Sequence, residues 1–143
     1  MKIVIASDHA GVDYKARLIS YLEYNGFIVS DFGPETEDSV DYPDYAHKVA
    51  KEVSEREVDF GILLCGSGNG INMSANKHKK IRSALCWKKE IALLARLHNN
   101  ANILTMPARF ISYEQAQEIT NIFLTTEFEG GRHQKRVNKI ANI

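Results

Sequence analysis

The chain has only two cysteines in 143 residues, Cys65 and Cys86, and it holds no CxxC pair and no Cys/His spacing of a zinc site. That argues against a disulfide scaffold or a metal-built fold, and a structural disulfide is the weaker expectation in a reducing compartment. Net charge is also missing: 18 Lys and Arg balance 18 Asp and Glu. The overall field therefore advertises neither nucleic acid nor an anionic membrane as partner, and any anion site must be local. No apolar stretch is long enough to span a bilayer, and the N-terminus reads as a strand rather than a charged lead into a signal peptide. A cytoplasmic protein is expected. There is no internal repeat and no low-complexity segment. What remains, 44% hydrophobic and 25% charged, is the composition of one globular domain over residues 1–143.

The most informative stretch is Phe60-Gly61-Ile62-Leu63-Leu64-Cys65-Gly66-Ser67-Gly68-Asn69-Gly70. An apolar run without alternation suits a strand covered on both faces. It ends in a thiol, followed by glycines at alternate positions, which suits backbone brought close to a ligand. A helix starting near Ile71 would turn its free N–H groups and positive end toward the loop. On that basis the Cys65 thiol is expected to ionise more readily than a free cysteine, whose pKa is about 8.5. Taken alone, the segment reads more readily as a small buried cysteine followed by a tight turn.

The rest of the chain alternates strand and helix. Lys2–Ala6 is a first strand that leaves through the polar turn Ser7-Asp8-His9-Ala10-Gly11, and Val12–Tyr24 is a helix stopped by Asn25-Gly26. Phe27–Phe32 is a second strand, and the acidic loop 33–41 is solvated surface. A second helix begins at Asp41-Tyr42-Pro43-Asp44, with Ala46, Val49, Ala50 and Val53 inward. After the central run come a short helix, a strand at Ile81–Cys86, and a helix at Lys88–His98 with Ile91, Leu94, Ala95 and His98 on its buried stripe. A fifth strand at Ile103–Met106 follows, and Ser112-Tyr113-Glu114-Gln115 is a capping box opening another helix. Beyond Gly130-Gly131, the tail helix 132–143 carries Arg132 and Arg136 one turn apart, while Val137, Ile140 and Ala141 need an apolar cover.

This pattern predicts an α/β fold: a three-layer, Rossmann-like, five-stranded parallel sheet of flavodoxin-like order 2-1-3-4-5, helices on both faces, and a C-terminal docking helix. In that order the chain reverses direction between the first and third strands, so the turns carrying Asp8-His9 and Cys65-Gly66 converge on one crevice. The loop is not a dinucleotide fingerprint, because the spacing is wrong and the loop follows the third strand. Nor is it a Walker loop, because Ile71-Asn72 stands where Lys and Ser or Thr belong. A cysteine phosphatase would want an arginine closing the loop. Oxyanion stabilisation beside a proton-transferring thiol fits better.

Five blocks, Ser7-Asp8-His9-Ala10-Gly11, Asp41-Tyr42-Pro43-Asp44-Tyr45-Ala46, Cys65-Gly66-Ser67-Gly68-Asn69-Gly70, His98-Asn99-Asn100-Ala101-Asn102 and Gly130-Gly131-Arg132-His133-Gln134-Lys135-Arg136-Val137, resemble in content and order the signatures of type B ribose-5-phosphate isomerases. The resemblance covers essentially the whole chain. It implies an aldose–ketose isomerase of the pentose phosphate pathway that exchanges ribose 5-phosphate and ribulose 5-phosphate through an enediolate, with no cofactor and no metal. Cys65 would be the base, Ser67 and the N–H groups of Gly66, Gly68, Asn69 and Gly70 would hold the enediolate oxygens, and His98 would open the sugar ring with Asn99 beside it. Asp8 and Tyr42 would line the sugar, and His9, Arg109, Arg132 and Arg136 would grip the phosphate. The resemblance further implies a homodimer or tetramer, with the site shared across an interface where the tail docks.

The chain departs from the family's usual residues at Ser67, Asn69 and Asn100. Ser67 keeps a hydroxyl, while the two asparagines leave the choice of sugar open. A hexose 6-phosphate isomerase acting on allose or galactose 6-phosphate, or a sugar-phosphate-binding module without turnover, are the alternatives.

Overall fold

The computed structural model describes residues 1–143. Five strands, β1 (Lys2–Ser7), β2 (Ile28–Asp31), β3 (Phe60–Cys65), β4 (Ser83–Leu85) and β5 (Ile103–Pro107), form one sheet in which every pairing is parallel. Between them run α1 (Val12–Tyr24), α2 (Tyr42–Ser54), α3 (Asn69–Ala75), α4 (Lys89–Asn99), α5 (Tyr113–Thr125) and α6 (Arg132–Ile140). A 3-10 turn over His9–Gly11 precedes α1.

Alternation along the strands divides the core in two. Ile3, Ile5, Ile62, Leu64, Leu104 and Met106 face Leu18 and Leu22 of α1, Ala92 and Ala95 of α4, and Phe123 of α5. Val4, Ala6, Leu63, Cys65 and Ile103 face Val49 and Val53 of α2 and Ile71 of α3. A sheet buried on both faces is what an unalternated apolar run requires. The expected capping box is present: Ser112 Oγ accepts the Gln115 N–H at 3.1 Å and Gln115 Oε1 accepts the Ser112 N–H at 2.8 Å. Such a cap is worth about 1 kcal/mol to the helix end. No helix is long and apolar enough to cross a membrane.

The fold class is as the sequence predicts, but the strand order is β2-β1-β3-β5-β4 rather than 2-1-3-4-5. The cause is burial. All five residues of β5 are buried, whereas β4 is three half-buried residues beginning with Ser83, the make-up of an edge strand. The exchange matters for chemistry because it sets the end of β5 beside the end of β3, with Cys65 paired to Pro107.

The inward face of α4 also differs from the expected stripe. Ala92, Ala95 and Arg96 are buried, while Leu94 is 43% exposed and the His98 side chain 36%. Arg96 turns inward because it finds oxygens there, donating to Thr126 O, Asn100 Oδ1 and Ala101 O, and its guanidinium lies over Phe60 at 4.8 Å.

Candidate active site

The carboxyl ends of β1, β3 and β5 build one crevice. At β1 the Asp8 N–H donates to Leu64 O at 3.0 Å, and the Asp8 carboxylate accepts the Ala10 N–H at 2.8 Å, capping the 3-10 turn and fixing its own direction. Asp8 and Cys65 are both buried, 6% and 7% exposed. The N–H groups of Gly68 and Ile71 are directed at the Cys65 sulfur, and the thiol in turn meets the Asp8 carboxylate. Gly68 stands at φ +78°, a left-handed conformation that brings these N–H groups round. Any other residue there would cost about 1–2 kcal/mol in backbone strain.

The sequence-based expectation of an acidic thiol is overturned. Burial first, and then the negative charge of Asp8, push the Cys65 thiol above its ordinary range, outweighing the two N–H groups that pull it down. The thiol therefore gives up its proton less readily than a free cysteine does.

Around this pair stand the other residues singled out at this end. Ser67 Oγ accepts from the Asn69 N–H and from Asn69 Nδ2, both at 3.3 Å, so the asparagine that departs from the usual motif orients the hydroxyl. Tyr42 packs against Gly70, where a methyl group would overlap its ring. Asp8, His9 and Tyr42 line a cavity of about 510 Å³, and His9 Nδ1 accepts the Val40 N–H at 3.5 Å. The strand exchange supplies the cation that the loop lacks in sequence. The Ala108 N–H donates to Cys65 O at 2.9 Å, the Arg109 N–H donates to Gly66 O at 3.1 Å, and the Arg109 side chain lies over Gly66.

His98, Asn99, Arg132 and Arg136 are elsewhere. Asn99 ends α4 and leads into the amino end of β5, where the Gly61 N–H donates to Asn102 O. Gly61 is four residues before Cys65 along β3, so roughly 13 Å of strand separates this level from the thiol. There α6 packs against α4. Its one buried residue is His133, which sequence reasoning left in the tail motif without a role. The ring of His133 stacks on His98 with centroids 4.2 Å apart, and Glu129 Oε2 lies 3.9 Å from His98 Nε2 and 3.7 Å from His133 Nε2. Glu129 is pinned there by its own N–H, which donates to Leu97 O at 3.1 Å. No periodicity in the sequence signals this trio; only the position of His133 between the two arginines hints at it. Arg136 Nη1 donates to Arg132 O at 3.1 Å, and both side chains are exposed.

The donor atoms of His98, Glu129 and His133 all lie within 4.8 Å of one another, the spacing of a metal site. The rings, however, are only 14° from parallel. The Glu129 carboxylate lies beyond hydrogen-bonding distance of both rings, and His133 Nε2 is buried without a partner.

Comparison with known proteins gives the family of the chain. The model of the ribose/galactose isomerase family matches residues 3–140. The chain belongs to that family. It is 48% identical over 143 residues to a putative sugar phosphate isomerase of Bacillus subtilis, covering 99% of this chain and 96% of that one. It is 41% identical over 142 residues to ribose-5-phosphate isomerase B of Escherichia coli, with 99% and 95% covered. Among solved structures, a ribose 5-phosphate isomerase of Thermotoga maritima superposes with a TM-score of 0.97 at 51% identity over 99% of this chain and 98% of that one. The Mycoplasma genitalium ribose-5-phosphate isomerase B with bound ribulose 5-phosphate does so with a TM-score of 0.94 at 43% identity over 98% and 93%.

Proposed function

We propose that the protein interconverts ribose 5-phosphate and ribulose 5-phosphate, with each active site assembled from two copies of the chain. The observation that carries this reading is the Asp8–Cys65 pair, buried under the N–H groups of the Gly66–Gly70 loop in a member of this family. An aldose–ketose exchange needs one group to move a proton between C1 and C2 and donors for the oxygen that becomes negative. Cys65 is the base once its proton has passed to Asp8. Ser67 and the loop N–H groups hold the enediolate oxygens, each well-placed donor worth on the order of 3 kcal/mol. His9 and Arg109 draw the phosphate to the crevice, and Tyr42 walls the sugar.

Within one chain His98 stands at the wrong end of the sheet to open a sugar ring held at Cys65. A second copy bringing His98, Asn99, Arg132 and Arg136 to the crevice completes the set, two arginines offering bidentate donors to the phosphate. An unmet apolar surface supports such an assembly. Ile91, Leu94 and Ile140 line an open cavity of about 520 Å³ along the edge strand β4, and Ile140 is 51% exposed. A homodimer is the smallest assembly that satisfies both. The protein then belongs to cytoplasmic pentose phosphate metabolism.

A hexose 6-phosphate is the second reading, favoured by Asn69 at the rim of the loop. The other departure, Asn100, plays no part in it, because its carbonyl and side chain are taken by Arg82 and Arg96. The test is proton NMR of ribose 5-phosphate with the purified protein in heavy water. Ribulose 5-phosphate appearing, with deuterium at the transferred carbon of product or recovered substrate, supports the proposal. No change in the pentose together with turnover of allose or galactose 6-phosphate replaces it with the second reading.

A further inference from the structure

A cavity of about 760 Å³ opens at the end of the sheet opposite Cys65, between the close of α2, the loop before β4 and one side of α6. Its wall is lopsided in charge. Arg56, Lys79, Lys80 and Arg82 line it against one carboxylate, Asp59, and that carboxylate accepts the Lys2 N–H at 2.7 Å. None of these four cations takes part in any of the five ion pairs of the molecule.

Arg82 is the centre of the arrangement. It is half-buried, and burial holds its guanidinium below the ordinary value. Its Nε donates to Asn100 O at 2.9 Å, a neutral acceptor. Behind it, Arg96 is 7% exposed, is held by neutral oxygens alone, and feels the charge of Arg82. Two guanidinium groups thus share the two oxygens of Asn100, with no carboxylate to balance them. Buried charge in proteins is ordinarily paired, so this pocket is short of an anion. Ser54, a residue of the cavity wall, has a buried hydroxyl with no hydrogen-bond partner.

We propose that this cavity is a second anion site, taking a phosphate monoester or a comparable small oxyanion. The Arg82 guanidinium would meet it with its two terminal nitrogens, and Lys79, Lys80 and Arg56 would supply charge from the rim. It is separate from the sugar-phosphate crevice. It lies beyond the opposite end of β3, and it faces Gln134, Val137 and Asn138 of α6, which at 100° per residue are on the far side of the helix from Arg132 and Arg136. A concave site on a chain of zero net charge suits a small anion rather than a nucleic acid backbone.

The test is a titration of the intact protein with inorganic phosphate, followed by the arginine Nε–H and amide NMR signals, with sodium chloride of equal ionic strength as control. Arg82 Nε–H is expected to shift and saturate, and chloride is expected to leave it still. Arg82→Gln should weaken that binding about tenfold, as loss of a bidentate donor would. Because Arg82 also ties down Asn100, the pair Lys79→Gln and Lys80→Gln, both exposed, serves as the second variant, expected to weaken binding about threefold with an unchanged melting temperature. If only Arg109, Arg132, Arg136 and the Gly66–Gly70 loop respond to phosphate, the proposal is overturned. Equal shifts with chloride, or parental affinity in both variants, overturn it as well.

Discussion

His98 and His133 stack face to face, their ring centroids 4.2 Å apart and their planes 14° from parallel, with Glu129 set against Nε2 of each. Two stacked imidazoles cannot comfortably both be charged. Burial first, then the positive charges of His98 and Arg132, against Glu129 and together with Arg136, hold His133 below the ordinary histidine value. Glu129 is the carboxylate that faces both rings, and it borders the stack that carries the ring proposed to open the sugar. Glu129→Gln, which keeps the size and removes the charge, is expected to lower kcat about tenfold while KM changes by less than about twofold. Steady-state kinetics on ribose 5-phosphate read the split directly. A rise in KM at constant kcat would mean that Glu129 only helps seat the substrate.

A pH dependence of stability follows from the same ring and from a second pair. His78, beside His47 with Nε2 and Nδ1 2.8 Å apart, is also held below the ordinary value, by burial first and then by the charge of His47. A histidine whose folded pKa is depressed binds its proton more readily in the unfolded chain. Stability is therefore full above about pH 6.5, the unfolded value, and falls as pH drops through the lowered folded values. Urea melts at pH 7.5 and pH 5.5 should show a lower midpoint at the acid pH. The double variant His78→Asn, His133→Asn should narrow that gap; an unchanged gap would put the acid sensitivity elsewhere.

Much of the crevice was legible in the sequence because its signals are local. The apolar run ending at Cys65, the cap at Ser112 and the bounds of α1 each depend on neighbours within one turn of chain. What was not legible depends on partners distant in sequence. The β5 strand lies inside β4 because burial of the whole sheet decides it, and no spacing announces that. In α4 the leucines and alanines run almost all the way round the helix, so the inward face is chosen by Arg96 reaching Thr126 O and Ala101 O. The charge of Cys65 was misread because the N–H groups at the helix start could be foreseen and the closeness of Asp8 could not. Family resemblance placed His98 and the arginines in the site, but only the topology shows that they stand at the other end of their own chain.

The Asp8–Cys65 relationship makes its own prediction. Asp8→Asn keeps an oxygen to cap Ala10 and removes the charge that raises the thiol. The pH profile of Cys65 alkylation should then move to lower pH. Cys86 adds no background, being fully buried with its thiol pushed up to about 12. The same variant should isomerise poorly, because the acceptor for the thiol proton is gone, and loss on the order of a hundredfold is the scale for a missing proton carrier. A more reactive thiol with lower turnover would separate Asp8 as proton acceptor from any general unfolding, which would lower turnover and expose both cysteines alike.

The shared site can be tested without any structure of the assembly. Cys65→Ala removes the proposed base at one end of the sheet and His98→Asn removes the proposed ring-opening group at the other; each alone should be nearly inactive on ribose 5-phosphate. If the two ends come from different chains, unfolding the two variants together and refolding them yields hybrids. One of the two sites in each hybrid then carries both lesions, and the other carries neither. Random pairing makes half of the dimers hybrid with one intact site of two, so about a quarter of the parental activity should return. If both ends came from the same chain, every site in every mixture would keep one lesion, and no activity would return. Recovery near a quarter therefore assigns His98 and Cys65 of one site to different copies, and a flat result would require the chain to bridge roughly 13 Å within itself.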